Sequence, residues 1–434
     1  MNARCALALL VWAAGVAGAS ATCTGDCDAD CQVTVDEVLT LVAAGVGTTP
    51  ARACPAGDRD EDGRVTVDEI VAAVDGALGG CDSGACAGPD PGCGAAAGEG
   101  VRVDLTQPAC ERLSSYRLFR GDLRRQQPND GVLPYELVTE LWSDGAAKHR
   151  FVWMPDGTSA AYDPNEAFSF PVGTVLVKTF AFPADERDPN GPEDLLETRL
   201  LVHRPEGWVG LPYVWNEDES EATLRRTGAR LDVATVDVAG GLYRGVYEVP
   251  NANQCKTCHD ADGGGMAPLG PKARNLNRAV VHGDGTAHQL ALWAASGRLA
   301  GLPADLDRVP AAVALDDARR SIAERARSYL DVNCGHCHNP RGAARPTGLF
   351  LDAFETDPLR LGRCKNPTAA GQGTGGRPHI VDPGAPDNSV LVFRVESTDP
   401  VLRMPELGRS RVDAAAVAVL RAWIGSMEGE CVLR

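Results

Sequence analysis

Aromatic side chains are scarce in this chain: phenylalanine, tyrosine and tryptophan make up 5% of 434 residues. Its cores must therefore lean on Val, Leu and Ala. Long apolar runs are scarce too. Past the first 20 residues no stretch reaches the roughly 20 apolar residues that a membrane-spanning helix needs, so no transmembrane segment is expected in the mature chain. Positive charge is also in deficit, with 42 Lys and Arg against 59 Asp and Glu and a net charge of −17. That balance argues against nucleic-acid binding, because phosphate contacts need a basic face. Hydrophobic residues still reach 44%, which is ordinary for folded material and unlike a disordered chain. The length is more than one ordinary domain takes up.

Cysteine, by contrast, is abundant, with 15 residues. The N-terminus explains how they can be oxidised. Arg4 precedes an apolar stretch over 5–17, and Ala19-Ser20-Ala21 forms a small-residue cleavage site. This is the pattern of a secretory signal peptide over 1–21. Export to the periplasm, the medium or the cell surface of a bacterium permits disulfides. Cys5 leaves with the leader and four cysteines sit in two motifs treated below. An even remainder of ten suits disulfides, whose connectivity the sequence leaves open.

Two motifs have the form C-x-x-C-H: Cys255-Lys256-Thr257-Cys258-His259 and Cys334-Gly335-His336-Cys337-His338. Two thiols three positions apart on the opening turn of a helix reach the two vinyl groups of one porphyrin. The adjacent histidine then sits beneath the iron. The competing readings are weaker. A zinc ribbon wants its cysteine pairs in one compact unit, and these lie 79 positions apart. A redox C-x-x-C wants a βαβ setting, which is not visible. The expected cofactors are two haem c groups, held covalently by Cys255, Cys258, Cys334 and Cys337, with His259 and His338 on the irons. Met404, beside Pro405 and ahead of a C-terminal amphipathic helix, is the expected soft sixth ligand of the second haem. For the first haem Met266 is a weaker candidate, with His282 and His288 as alternatives. His336 reads as solvent-facing.

An internal repeat precedes these motifs. Residues 25–37 match 57–69, and each copy runs into an apolar helical stretch. In the second copy Asp58, Asp60 and Asp62 occupy positions 1, 3 and 5 of an EF-hand loop. Gly63 stands at the sharp turn, the Arg64 carbonyl at position 7 and Glu69 at position 12. The first copy offers Asp26, Asp28, Asp30, the Gln32 carbonyl and Glu37, with Cys31 in place of the turn glycine. One or two Ca²⁺ ions are expected. The pair resembles dockerin-like duplicated modules, with Glu instead of Asp at position 12.

Beyond the repeat, several blocks carry a further likeness: Leu133–Glu136, Leu141–Lys148, Gly173–Thr179, Glu197–Leu201, Asn253–His259, Gly270–Asn277 and Tyr329–Asn339. Over about three-quarters of its length the chain resembles a family of exported bacterial diheme c-type cytochromes, often encoded beside parallel β-helix repeat proteins. The resemblance supports the haem-attachment residues and implies electron transfer. It leaves both sixth ligands open.

The expected fold is multidomain α+β: a signal peptide over 1–21, an EF-hand-like helical pair over 22–82, and a Gly-rich linker over 83–107. An antiparallel sandwich-like β domain over 108–251 would follow, then a first haem-binding region over 252–310 and a second, cytochrome c-like haem domain over 311–434. Both haem domains would be C-terminal and α-helical. Helices are expected over 318–332 and 412–427. The expected partners are an extracytoplasmic redox protein and, through the calcium module, another exported protein. Electron transfer is favoured over a diheme enzyme, peroxidase- or oxygenase-like, with an open sixth position at the first haem.

Overall fold

A computed structural model of the chain describes residues 23–27, 33–60, 62–79, 93, 99–260, 265–282, 285–368 and 371–431. The leader, residues 83–92 and 94–98 of the expected linker, and the Asp28, Asp30, Cys31 and Gln32 positions lie outside the described residues. The chain divides into two compact units, 1–88 and 89–434. Among the described residues no helix is long and apolar enough to cross a membrane.

The first unit holds α1 (Val35–Gly45) and α2 (Val67–Gly79). Leu41, Val65, Ala73 and Cys54 form its small core with Val33 and Cys23. Gly57 lets the chain pass close to Leu41, since a Cβ there would fall 1.9 Å from a leucine methyl. A Cys27–Cys54 disulfide closes the unit.

In the second unit, β1 (Val132–Pro134), β2 (Ala147–Trp153), β4 (Val175–Pro183), β5 (Glu193–Arg204), β6 (Gly207–Trp215) and β7 (Ala222–Leu224) form one antiparallel sheet in the order β1-β2-β4-β5-β6-β7. A short β3 (Ala160–Ala161) pairs elsewhere. β8 (Ala229–Val236) and β9 (Leu242–Val249) form a separate hairpin. Strand alternation assigns the sheet's two faces. Phe151, Val177, Leu200 and Leu211 stand in register on one face and pack on Leu113, Tyr116, Leu118 and Phe119. Cys93–Cys110 pins that cover. The other face carries two apolar patches. Val152 and Leu176 pack on Phe168, Ala273, Leu276, Leu290 and Trp293. Phe180, Phe182 and Leu196 pack on Val233, Tyr247 and Val249 from the β8–β9 hairpin.

The rest of the unit is short helices and connecting chain. These are α3 (Ala252–His259), α4 (Ala273–Leu276), β10 (Ala279–His282) paired with β11 (Gly285–His288), α5 (Gln289–Ala295), β12 (Leu299–Ala300) paired with β3, α6 (Ile322–Asn333), α7 (Val390–Glu396) and α8 (Ala414–Gly425). Ser321 and Glu324 form a capping box that starts α6. Asp413 caps α8. Ala326, Tyr329 and Leu330 meet Ala416, Val419, Leu420 and Trp423 between them.

This arrangement corrects the expected fold class. The protein is mixed and strand-rich, and no C-terminal α-helical cytochrome domain is present among the described residues. α6 and α8 pack together but do not stand apart as a domain. Buried Arg274, from α4, holds Asp331 of α6 with a bidentate pair at 2.7 and 2.8 Å. Asn333 accepts from the Trp142 backbone at 2.7 Å. The β region is likewise one six-stranded sheet with a hairpin on it rather than two stacked large sheets.

Candidate functional site

Both C-x-x-C-H motifs close a helix rather than open one. The first forms the last turns of α3. The second follows α6, with Cys334 as its C-cap and the His338 N–H donating to the Cys334 carbonyl at 2.8 Å. The i, i+3, i+4 spacing still gathers both thiols and the histidine of each motif on one side.

All six of those residues line one cavity of about 750 Å³, in the upper part of the usual ligand-site range of roughly 300–1,000 Å³. Met404 and Met266 line it as well, and so does His336. The expectation for His336 is therefore corrected: it is half-buried in the cavity lining, with Nδ1 3.3 Å from the Val332 carbonyl oxygen. His282 is exposed, and His288 shares a 2.8 Å hydrogen bond with Asn277; neither lines the cavity.

The donor chemistry fits a covalently attached porphyrin at each motif. Cys255, Cys258, Cys334 and Cys337 are free thiols, whereas Cys23, Cys27, Cys54, Cys93, Cys110, Cys364 and Cys431 are disulfide-bonded. Burial pushes all four thiols up, Cys334 to about 12 and Cys337 to about 11. A redox pair needs an accessible thiolate, which this burial disfavours. His259 holds its Nδ1 2.8 Å from the Ala267 carbonyl oxygen, which leaves Nε2 free for a metal. Burial pushes His259 and His338 down to about 4, so both imidazoles are neutral near pH 7.

Met266 sits against the attachment side. A Cβ added at Gly210 would lie 3.1 Å from the Met266 methyl and 3.5 Å from Cys255 Cβ. Glycine at 210 is what lets α3 approach the sheet. Met404 is fixed through its backbone, donating to the Arg394 carbonyl at 3.0 Å. The loop that follows is latched to the sheet side. Buried Asp144 accepts from the Ser410 N–H and hydroxyl and from the Arg411 N–H at 2.7–2.8 Å.

In the first unit Asp58, Asp60 and Glu69 offer carboxylate oxygens within 4.8 Å of one another. Gly63 takes the sharp turn at φ +84°. The Gly63 N–H donates to Asp58 at 2.8 Å and the Arg64 N–H to Asp62 at 2.8 Å. Glu69 accepts from the Arg59 N–H at 2.6 Å and the Thr66 N–H at 2.8 Å. The first copy repeats these contacts 32 residues earlier: Glu37 accepts from the Cys27 N–H at 2.8 Å and the Thr34 N–H at 2.7 Å. Asp26, the first position of that loop, is buried.

Compared with protein-family models, curated proteins and solved structures, the chain matches none.

Proposed function

We propose that this protein is an exported diheme c-type cytochrome that passes electrons between extracytoplasmic redox partners. The observation that carries the reading is convergence: two C-x-x-C-H motifs, 79 positions apart in the sequence, meet on one cavity with all four thiols free. Each thiol would add its S–H across a vinyl C=C, a step that consumes no oxidant. His259 and His338 would hold the irons through Nε2, and Met404 would serve the second as a soft ligand. Bound haem iron supplies one-electron redox chemistry. The likeness to exported diheme cytochromes points the same way.

The test is the pyridine haemochrome spectrum and intact mass of protein matured in a bacterial periplasm. Two c-type haems per chain are expected, with Cys255→Ser/Cys258→Ser and Cys334→Ser/Cys337→Ser each losing one. Absence of covalent haem from the wild type overturns the proposal.

A second reading has its own observation. Met266 packs against Gly210 and Cys255, which leaves the first haem without an assigned sixth ligand. A peroxidase- or oxygenase-like enzyme needs such an open position. CO binding by one ferrous haem would favour this reading, and two low-spin haems indifferent to CO would favour the carrier.

The calcium loops belong to the proposal as Ca²⁺-stabilised elements of an exported module. Val35 and Leu39 on α1, and Val67 and Val71 on α2, are exposed at matching positions of the repeat, which suits docking to another exported protein.

A further inference from the structure

The cavity wall formed by the sheet carries an unusual row. Arg150 on β2, Lys178 on β4 and Arg199 on β5 are direct cross-strand partners. They lie on the face that carries the two apolar patches, and all three line the cavity. Side chains so paired stand about 5 Å apart at Cβ, and like charges directly opposite repel. A folded protein keeps such a row only if something answers the charge.

The answer inside the chain is partial. Arg150 holds Glu140 at 2.8 Å, and Glu140 also meets Lys148 at 3.4 Å. Arg199 holds fully buried Glu197, its Nε donating at 2.8 Å, and Glu197 accepts from the Tyr247 hydroxyl at 2.7 Å. Three cations thus share two carboxylates. Lys178 has no carboxylate within ion-pair distance among the described residues, only the Phe180 ring 4.5 Å away, which Arg199 also covers at 4.3 Å. Arg150 is 5% exposed, and its Nη2 has no hydrogen-bond partner.

Of the other acids lining the cavity, Asp144 is committed to Ser410 and Arg411, Asp331 to Arg274 and Glu248 to Arg230, while Glu406 faces Arg394. Lys272, Arg394 and Arg409 add further positive charge to the cavity lining. A chain of net charge −17 has therefore collected an excess of cations around one chamber. Burial, and then the three neighbouring cations, push the Lys178 ammonium well below the usual lysine range; a bound anion would reverse this.

We infer that Arg150, Lys178 and Arg199 form a carboxylate-binding site on the cavity wall. The carboxylates are either the propionates of a haem tethered beside the row at Cys255 and Cys258 or those of a free dicarboxylate entering the cavity. The first source rests on the proposed function; the second does not. Gly210, which receives Cys255, lies two residues from Pro212, the cross-strand partner of Arg199. The tether is therefore next to the row.

The experiment uses the full-length purified protein, as wild type, Lys178→Met and Lys178→Arg. Malonate binding is measured by calorimetry, and haem midpoint potentials are measured from pH 5 to 8. If propionates occupy the row, the wild type ignores malonate and one haem has a flat potential. In Lys178→Met that potential becomes pH-dependent, and Lys178→Arg restores the flat profile. If a free dicarboxylate is the ligand, malonate binds the wild type and at least tenfold more weakly to Lys178→Met, while the potential profiles coincide. Wild-type behaviour of Lys178→Met in both measurements overturns the inference. A preparation without haem defeats the proposed function instead, and the malonate measurement then decides the inference alone.

Discussion

The residues that matter most around the cavity are those whose charge has only one outlet. Glu197 is fully buried between Arg199 and Tyr247. Glu197→Ala removes that outlet and leaves a half-buried guanidinium and the buried Tyr247 hydroxyl without their partner. The expected loss is about 3–5 kcal/mol of unfolding free energy, read by urea denaturation. Glu140 supplies a pH dependence. Burial opposes its ionisation, but Arg150 and Lys148 outweigh burial and bring it down to about 2 from the ordinary 4.5. Its folded value is depressed, so its contribution to stability is complete above pH 4.5 and lost as the pH falls toward 2. Glu140→Gln should flatten that part of the curve of thermal midpoint against pH. Sequence alternation could not single out this row. Charged residues at every second strand position read equally well as a solvated face, and only the register of β2, β4 and β5 brings Arg150, Lys178 and Arg199 side by side. The place of His336 in the cavity lining is hidden for a related reason: the motif fixes its neighbours but not which side of the turn it faces.

At the scale of elements the sequence was more legible. Around His149–Met154, Thr174–Phe182, Glu197–His203, Trp208–Trp215 and Tyr243–Val249 the residue pattern alone reads as strand, and a strand forms at each, within a few residues at each end. β-branched and aromatic runs between turn residues suffice for that. The helix expected over 318–332 starts later, at Ile322, because Ser321 and Glu324 cap it there. Ser321→Ala should lower stability by about 1 kcal/mol, seen as a lower urea midpoint with an unchanged slope. What failed was the step from helices to a domain. α6 and α8 carry apolar faces, but Asp331 and Asn333 on α6 are committed to Arg274 and Trp142, and no local pattern announces such distant partners. The calcium loop is an element with its own test. Equilibrium dialysis of the full chain should find Ca²⁺ uptake, weakened at least tenfold at the second loop by Glu69→Gln, since the bidentate carboxylate at position 12 is lost.

For the whole molecule, the contrast is between an acidic exterior and a chamber lined with cations. An acidic exterior steers basic partners, and that attraction fades as salt rises. The chamber's walls come from widely separated parts of the chain: the sheet near residue 150, α3, the end of α6 and the loop over 404–411. The latch between Asp144 and Ser410–Arg411 joins two of them. Asp144→Ala removes three charge-assisted bonds, and the expected cost is about 3 kcal/mol. Limited proteolysis should then cut faster near Arg409 and Arg411.

The same latch spans 266 positions of sequence, and that separation limits how the protein can be divided. A cytochrome assembled from one-haem modules can be cut, shuffled or duplicated a module at a time. Here neither motif has walls of its own. A gene fragment carrying only one of them would encode only part of the chamber wall, and a break between residues 144 and 410 would leave the latch joining two separate chains.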